Sequence, residues 1–190
     1  MLNSKPTINK NHSISNLKME KMKKLFLLGF VALLFLACKQ DVRYTQKSPE
    51  IDTYKKVMED YKTQNWEDYP KHYADTAKVM SNVTRKKAQT VAQAIEKSKE
   101  DAKLFTWVVK DDDYEMVVTD KGETWVNYWG LWTGTLKSTK KVYEIPFHNT
   151  ARFIDGKIVQ ENGYWNNSEI VTDMSSMAKT SVSEPAKTQK

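Results

Sequence analysis

Two periodicities divide the chain. Between Ser48 and Ala102 apolar side chains return every three or four positions, and from Lys103 onward they alternate. The first spacing lines one face of a helix, the second one face of a strand. "SPEIDTYKKVMEDYKTQNW" opens on a helix-start signature, with Ser48 as cap, Pro49 at the first helical position and Glu50 beside the positive helix end. Ile51, Tyr54, Val57/Met58 and Tyr61 then form one apolar stripe. The pattern predicts a second short helix carrying Trp66, Tyr69 and Tyr73, with Pro70 in its first turn. "DTAKVM" reads as a short strand, and Arg85 to Ala102 as a helix with Val91, Ala94, Ile95 and Ala102 inward.

The alternating part predicts strands at 104–110, 114–119, 123–135, 141–154 and 157–166. "KDDD", "TDKGE", "GTLKSTK" and "IDG" separate them, each holding Gly or Asp as a turn former. "DDD" at 111–113 is expected at a solvated hairpin tip, and Gly130 and Gly134 where the sheet bends. Helices followed by a run of antiparallel strands predict an α+β domain, its N-terminal helices packed in a curved sheet.

The first 37 residues stand apart. "MKKLFLLGFVALLFLAC", Met22 to Cys38, has a basic start, an apolar run and then the chain's single cysteine. The apolar run, 25–37, is shorter than the about 20 residues a spanning helix needs, so a secretory signal fits better than an anchor helix. Cysteine after Leu36-Ala37 resembles a bacterial lipobox, which implies acylation of Cys38 and a lipid-anchored, exported domain in the cell envelope. Residues 1–21 are read as an overlong start, 22–37 as the signal peptide, 38–47 as a tether, 48–173 as the domain and 174–190 as a disordered tail. Removing residues 1–37 takes away six lysines and one acid, so the formal charge of +6 becomes +1. The basicity belongs to the targeting segment, and a nucleic-acid partner is not expected.

Within the domain, "NWEDYPKHYADTAKV", "WTGT" and "ARFIDGKIVQE" resemble, in order and spacing, the nuclear transport factor 2-like superfamily in its SnoaL-like branch. The resemblance implies a cone whose sheet wraps a helix and leaves an apolar pocket. Isomerase-like, cyclase-like and dehydratase-like enzymes share that shape with proteins of no known catalysis, so chemistry has to come from the site.

Alternation assigns Tyr143, Ile145, Phe147, Asn149, Ala151 and Phe153 to the inner face and points His148 outward with Glu144 and Arg152. In the last strand Ile158, Gln160, Asn162, Tyr164 and Asn166 share a face, which gives Glu161 the opposite one. Trp125, Asn127, Trp129 and Leu131 alternate with Val126, Tyr128, Gly130 and Trp132, so either set could line the interior. Tyr54, Tyr61, Trp125, Asn127, Trp129, Phe147, Asn149, Asn162, Tyr164 and Asn166 are the candidate ligand-binding residues. Aromatic walls with a few placed amides make a small-molecule site.

The resemblance also implies where catalytic groups should stand. The isomerase-like tyrosine position falls on Val57, its carboxylate base on Ser81 and its second acid on Asn149, and the cyclase-like acid falls on Asn166. Asp75, inside "YADTA", is the one candidate for a catalytic acid, against its reading as a strand-start cap. No metal-spaced His/Cys cluster or phosphate loop is seen, so neither metal nor cofactor is expected. The resulting expectation is binding of a small, partly apolar molecule without catalysis. Its rivals are an isomerase, cyclase or dehydratase-like enzyme, and a partner-binding or homodimeric lipoprotein with Trp129 or Trp132 in the dimer core.

Overall fold

A computed structural model describes residues 43–183, with side chains to Lys179. The segment read as a signal peptide, and Cys38 read as an acylation site, lie outside the described residues.

Helix α1, Pro49–Thr63, begins as its sequence signature requires: the Ser48 side chain accepts from the Ile51 amide at 3.2 Å. It ends at Gln64, whose left-handed backbone (φ 58°) lets its amide bond the last carbonyls. A single 3-10 turn, Tyr69–His72, follows in place of the expected short helix, and Tyr73 already opens strand β2, Tyr73–Ser81. Helix α2 is Val91–Leu104 and starts later than expected. Thr90 and Gln93 close a reciprocal capping box, leaving Arg85–Lys87 as a separate 3-10 turn.

A short strand β1, Tyr44–Thr45, pairs with Met116 and Val117, so the segment read as a tether is partly docked. Strand β3, Phe105–Val118, runs through "DDD" without a turn. Its register slips between Lys110 and Asp113, and Asp111 absorbs the slip at φ 56°. The expected hairpin tip is therefore a bulge in one long strand. Strands β4, Thr124–Leu136, β5, Val142–Ile154, and β6, Lys157–Trp165, keep close to their predicted limits. Helix α3, Ser168–Ser183, occupies much of the segment expected to be a disordered tail.

The six strands form one sheet in the order β1-β3-β4-β5-β6-β2, antiparallel except for the parallel β6–β2 pair. The α+β expectation holds. Ile51, Tyr54, Val57 and Met58 of α1 pack with Val126 and Tyr128 of β4, Ala151 and Phe153 of β5 and Ile158 of β6. A second cluster, Phe105, Leu136 and Tyr143, is covered by Ile170, Met174 and Met177 of α3. Gly130 and Gly134 do more than bend the strand. A Cβ at Gly130 would run into the Tyr128 hydroxyl, and one at Gly134 into the Trp132 ring. Both glycines leave room for an inward aromatic side chain two residues earlier.

Candidate functional site

The inner face of β5 is the one expected, with Phe147, Asn149, Ala151 and Phe153 toward α1. His148 points the other way, its Nδ1 3.1 Å from the Tyr128 carbonyl. On β4 the inner set is Val126, Tyr128, Gly130 and Trp132, which turns Trp125, Asn127 and Trp129 outward. Asn127 donates to Glu115 at 3.0 Å and Trp125 to Glu123 at 3.4 Å on that outer face, while Trp129 packs on His148 at 4.8 Å. Of the two tryptophans considered for a dimer core, Trp129 is exposed, whereas Trp132 packs inside against Phe105 and Trp107.

Strand β6 breaks the alternation. Arg152 pairs with Gln160 but Phe153 pairs with Ile158, which leaves Val159 as an extra residue. A bulge shifts every later side chain to the opposite face. Glu161 therefore turns inward with Gly163, both buried, while Asn162 and Tyr164 turn outward. Asn166 lies past the strand end, exposed, and its Oδ1 accepts the Ser168 amide at the start of α3. Four of the expected ligand residues (Tyr54, Tyr61, Phe147, Asn149) lie inside, and Trp125, Asn127, Trp129, Asn162, Tyr164 and Asn166 do not.

Glu161 is the centre of what lies inside. It is 6% exposed. Its Oε1 accepts from the Tyr54 hydroxyl at 2.6 Å and from the Asn149 amide at 3.3 Å. Its Oε2 accepts from the Tyr73 hydroxyl, which also stands 3.0 Å from the Tyr69 hydroxyl. Each donor has a structural reason to be there. Tyr54 sits mid-way along the capped helix α1, and Tyr73 follows the 3-10 turn that carries Tyr69. Asn149 pairs across the sheet with Gly163, where a Cβ would stand 2.9 Å from the Asn149 Oδ1.

Burial pushes the Glu161 carboxyl above the usual carboxylate range, and the bonds from Tyr54 and Tyr73 pull against that rise. The Tyr54, Tyr69 and Tyr73 phenols are pushed well up, first by burial and then by the Glu161 charge. All three remain protonated donors beside the carboxyl. Further along, Tyr61 stacks on Trp107 at 5.5 Å and meets Trp66 edge-on at 6.1 Å. The interior is thus a carboxyl with hydroxyl and amide donors in an aromatic surround, an arrangement suited to holding and moving a proton.

Asp75 is not part of it. It is exposed on β2, in an open groove with Pro70, Lys71, Tyr73, Ala74 and Lys157. His72 is 2.9 Å from Asp60, which Asn65 also bonds at 3.0 Å, and this tie holds the end of α1 to the 3-10 turn. Glu161, Tyr73 and Tyr69 were not singled out from sequence, because counting alternate residues across an unseen bulge puts Glu161 on the wrong face. The signal that could have found it is Gly163, a residue without a side chain opposite the inward Asn149.

No protein-family profile and no curated protein sequence matches the chain. Solved structures do. A candidate polyketide cyclase from Xanthomonas campestris pv. campestris superposes with a TM-score of 0.56 at 13% identity, over 67% of this chain and 98% of that one. Wild-type IdmH from Streptomyces antibioticus, also described as a candidate polyketide cyclase, gives 0.52 at 16% identity, over 68% and 99%. A protein of ketosteroid isomerase-like fold from Catenulispora acidiphila, solved with trimethylamine, gives 0.52 at 10% identity, over 63% and 89%. What the chain shares with them is the fold.

Proposed function

We propose that this nuclear transport factor 2-like, SnoaL-like domain takes a small, partly apolar molecule into its aromatic interior and transfers a proton on it through Glu161. The observation that carries the reading is the buried Glu161 carboxyl, bonded by Tyr54, Tyr73 and Asn149. The expectation of binding without catalysis stood on amides where acids were needed, and an inward Glu161 removes that ground. Solved neighbours described as candidate cyclases add weight to an enzyme of this type.

The chemistry that fits is proton abstraction next to a carbonyl. An ionised Glu161 in a site of low polarity is a stronger base than in water, and phenolic hydroxyls can stabilise the enolate oxygen as it forms. Aromatic walls would hold a flat or cyclic ketone. We place the domain outside the cytoplasm, tethered through an acylated Cys38, on the strength of the Met22–Cys38 segment.

The test uses the full chain in deuterated buffer with a panel of cyclic and aryl ketones, following hydrogen exchange beside the carbonyl by mass spectrometry. At least one ketone should exchange faster than in buffer, and Glu161→Gln should reduce that rate by about a hundredfold or more. A ketone that binds without exchanging would refute catalysis and restore the binding reading. One observation favours that second reading: three donors already engage the carboxyl.

A further inference from the structure

The Tyr73 hydroxyl touches two oxygens, Glu161 Oε2 and the Tyr69 hydroxyl. A phenol has one proton to donate. If Tyr73 gives it to Glu161, Tyr69 must donate to Tyr73. If Tyr73 gives it to Tyr69, the bond to Glu161 needs a proton on the carboxyl itself. The row therefore has two self-consistent proton orders, and they differ by the charge on Glu161. Tyr54, on the other carboxyl oxygen, leads instead to the Asn149 amide.

We propose that Tyr69, Tyr73 and Glu161 form a proton relay, with Tyr69 as its outermost member and Glu161 storing the proton. This rests on the acid–base reading of Glu161. Glu161 and Tyr73 are closed off at 6% and 5% exposure, whereas Tyr69, on the connection between α1 and β2, is partly exposed as a residue although burial dominates at its hydroxyl, which makes it the outer end of the row. Its ring stacks on Tyr73 at 5.4 Å and meets Trp66 edge-on at 6.0 Å, which fixes the hydroxyl in line.

In one transfer, a hydronium ion breaks one of its O–H bonds and its proton forms an O–H bond on the Tyr69 oxygen. The O–H bond that Tyr69 already had breaks, and its proton bonds to Tyr73. The original Tyr73 O–H breaks in turn, and its proton bonds to Glu161 Oε2. Three O–H bonds form and three break, the hydronium becomes water, the carboxylate is neutralised, and both hydrogen bonds in the row reverse. No redox partner enters. Tyr54 from α1, Tyr73 from β2 and Asn149 from β5 face Glu161. Asp60 and Tyr61 from α1 face Tyr69, with His72 paired to Asp60.

The experiment releases protons by a light pulse into the full-length protein and follows the Glu161 carboxyl band by infrared, the band being identified by its loss in Glu161→Gln. Tyr69→Phe and Tyr73→Phe should each slow protonation of Glu161 by about tenfold or more. Tyr54→Phe, which also removes a donor to the carboxyl, should move the titration midpoint. A wild-type rate in Tyr69→Phe would overturn the relay while leaving Glu161 as an acid–base group. A carboxyl that does not titrate at any pH where the fold persists would overturn the acid–base reading instead. Should Tyr73→Phe not fold, Tyr69→Phe decides alone, since Tyr69 makes no bond to Glu161.

Discussion

Glu161 links the chemistry of the site to the stability of the fold. Burial holds its carboxyl above the ordinary range despite two phenol donors, so the folded domain binds that proton more firmly than the unfolded chain. Stability from such a group is fully present below the unfolded value and is lost as pH rises through the folded one. Glu161→Gln keeps the shape without the titration. The melting temperature of the native protein, relative to this variant, should therefore fall as pH climbs from about 4 upward through the raised carboxyl value. A constant difference across that range, measured by calorimetry, would show that Glu161 titrates in the fold as it does in the unfolded chain, so that burial does not raise its carboxyl. At this scale the sequence reading was uneven for a physical reason. Tyr54, Phe147 and Asn149 lie on unbroken helical or alternating stretches, and their faces could be counted. Glu161 lies beyond Val159, where one extra residue inverts the count.

Elements were more legible than faces, because their signals are local. Ser48-Pro49 at the start of α1 and the Asp155-Gly156 turn between β5 and β6 each act within a few residues. The failures came where backbone conformation was decided elsewhere. Asp111 takes a left-handed conformation so that β3 can continue past "DDD", and the displaced Asp112 then accepts from both Lys62 of α1 and Tyr128 of β4. Those partners are remote in sequence, so the acidic run looked like a solvated tip. The β6 bulge is equally non-local, and Gly163 tests its purpose. A methyl group there would stand 2.9 Å from Asn149 Oδ1 and 2.7 Å from the Trp165 ring. Gly163→Ala should cost about 1–3 kcal/mol in urea denaturation, because the Asn149 side chain and the Trp165 ring would both have to give way. It should also shift the Glu161 titration midpoint as Asn149 is displaced. A neutral substitution would mean that Asn149 has freedom to move and is not a fixed donor to the carboxyl.

The least legible feature of the molecule is the last helix. Ile170, Met174 and Met177 have helical spacing, but serines and threonines interrupt the pattern, and such composition reads as disorder when nothing is known to cover it. What makes α3 a helix is the cluster beneath it. Phe105, Leu136 and Tyr143 come from the ends of three strands and would face water without Ile170, Met174 and Met177. Polar contacts fix the helix in place: the Tyr143 hydroxyl donates to Asp173 at 2.8 Å, and Lys141 reaches Asp173 at 2.6 Å and Glu169 at 2.8 Å. Trp107 and Trp132 touch both this cluster and the main core, so α3 borders the aromatic surround of the candidate site. A chain ending at Asn167 should keep its sheet, since the pairs from β3 to β6 do not involve α3. It should nonetheless lose a few kcal/mol, on the order expected for exposing several large apolar side chains, and its tryptophan emission should shift to the red. Red-shifted emission with an unchanged Glu161 titration would make α3 a cover for the second cluster alone. A lowered Glu161 midpoint in the same truncated chain would show that the helix also keeps water from the carboxyl.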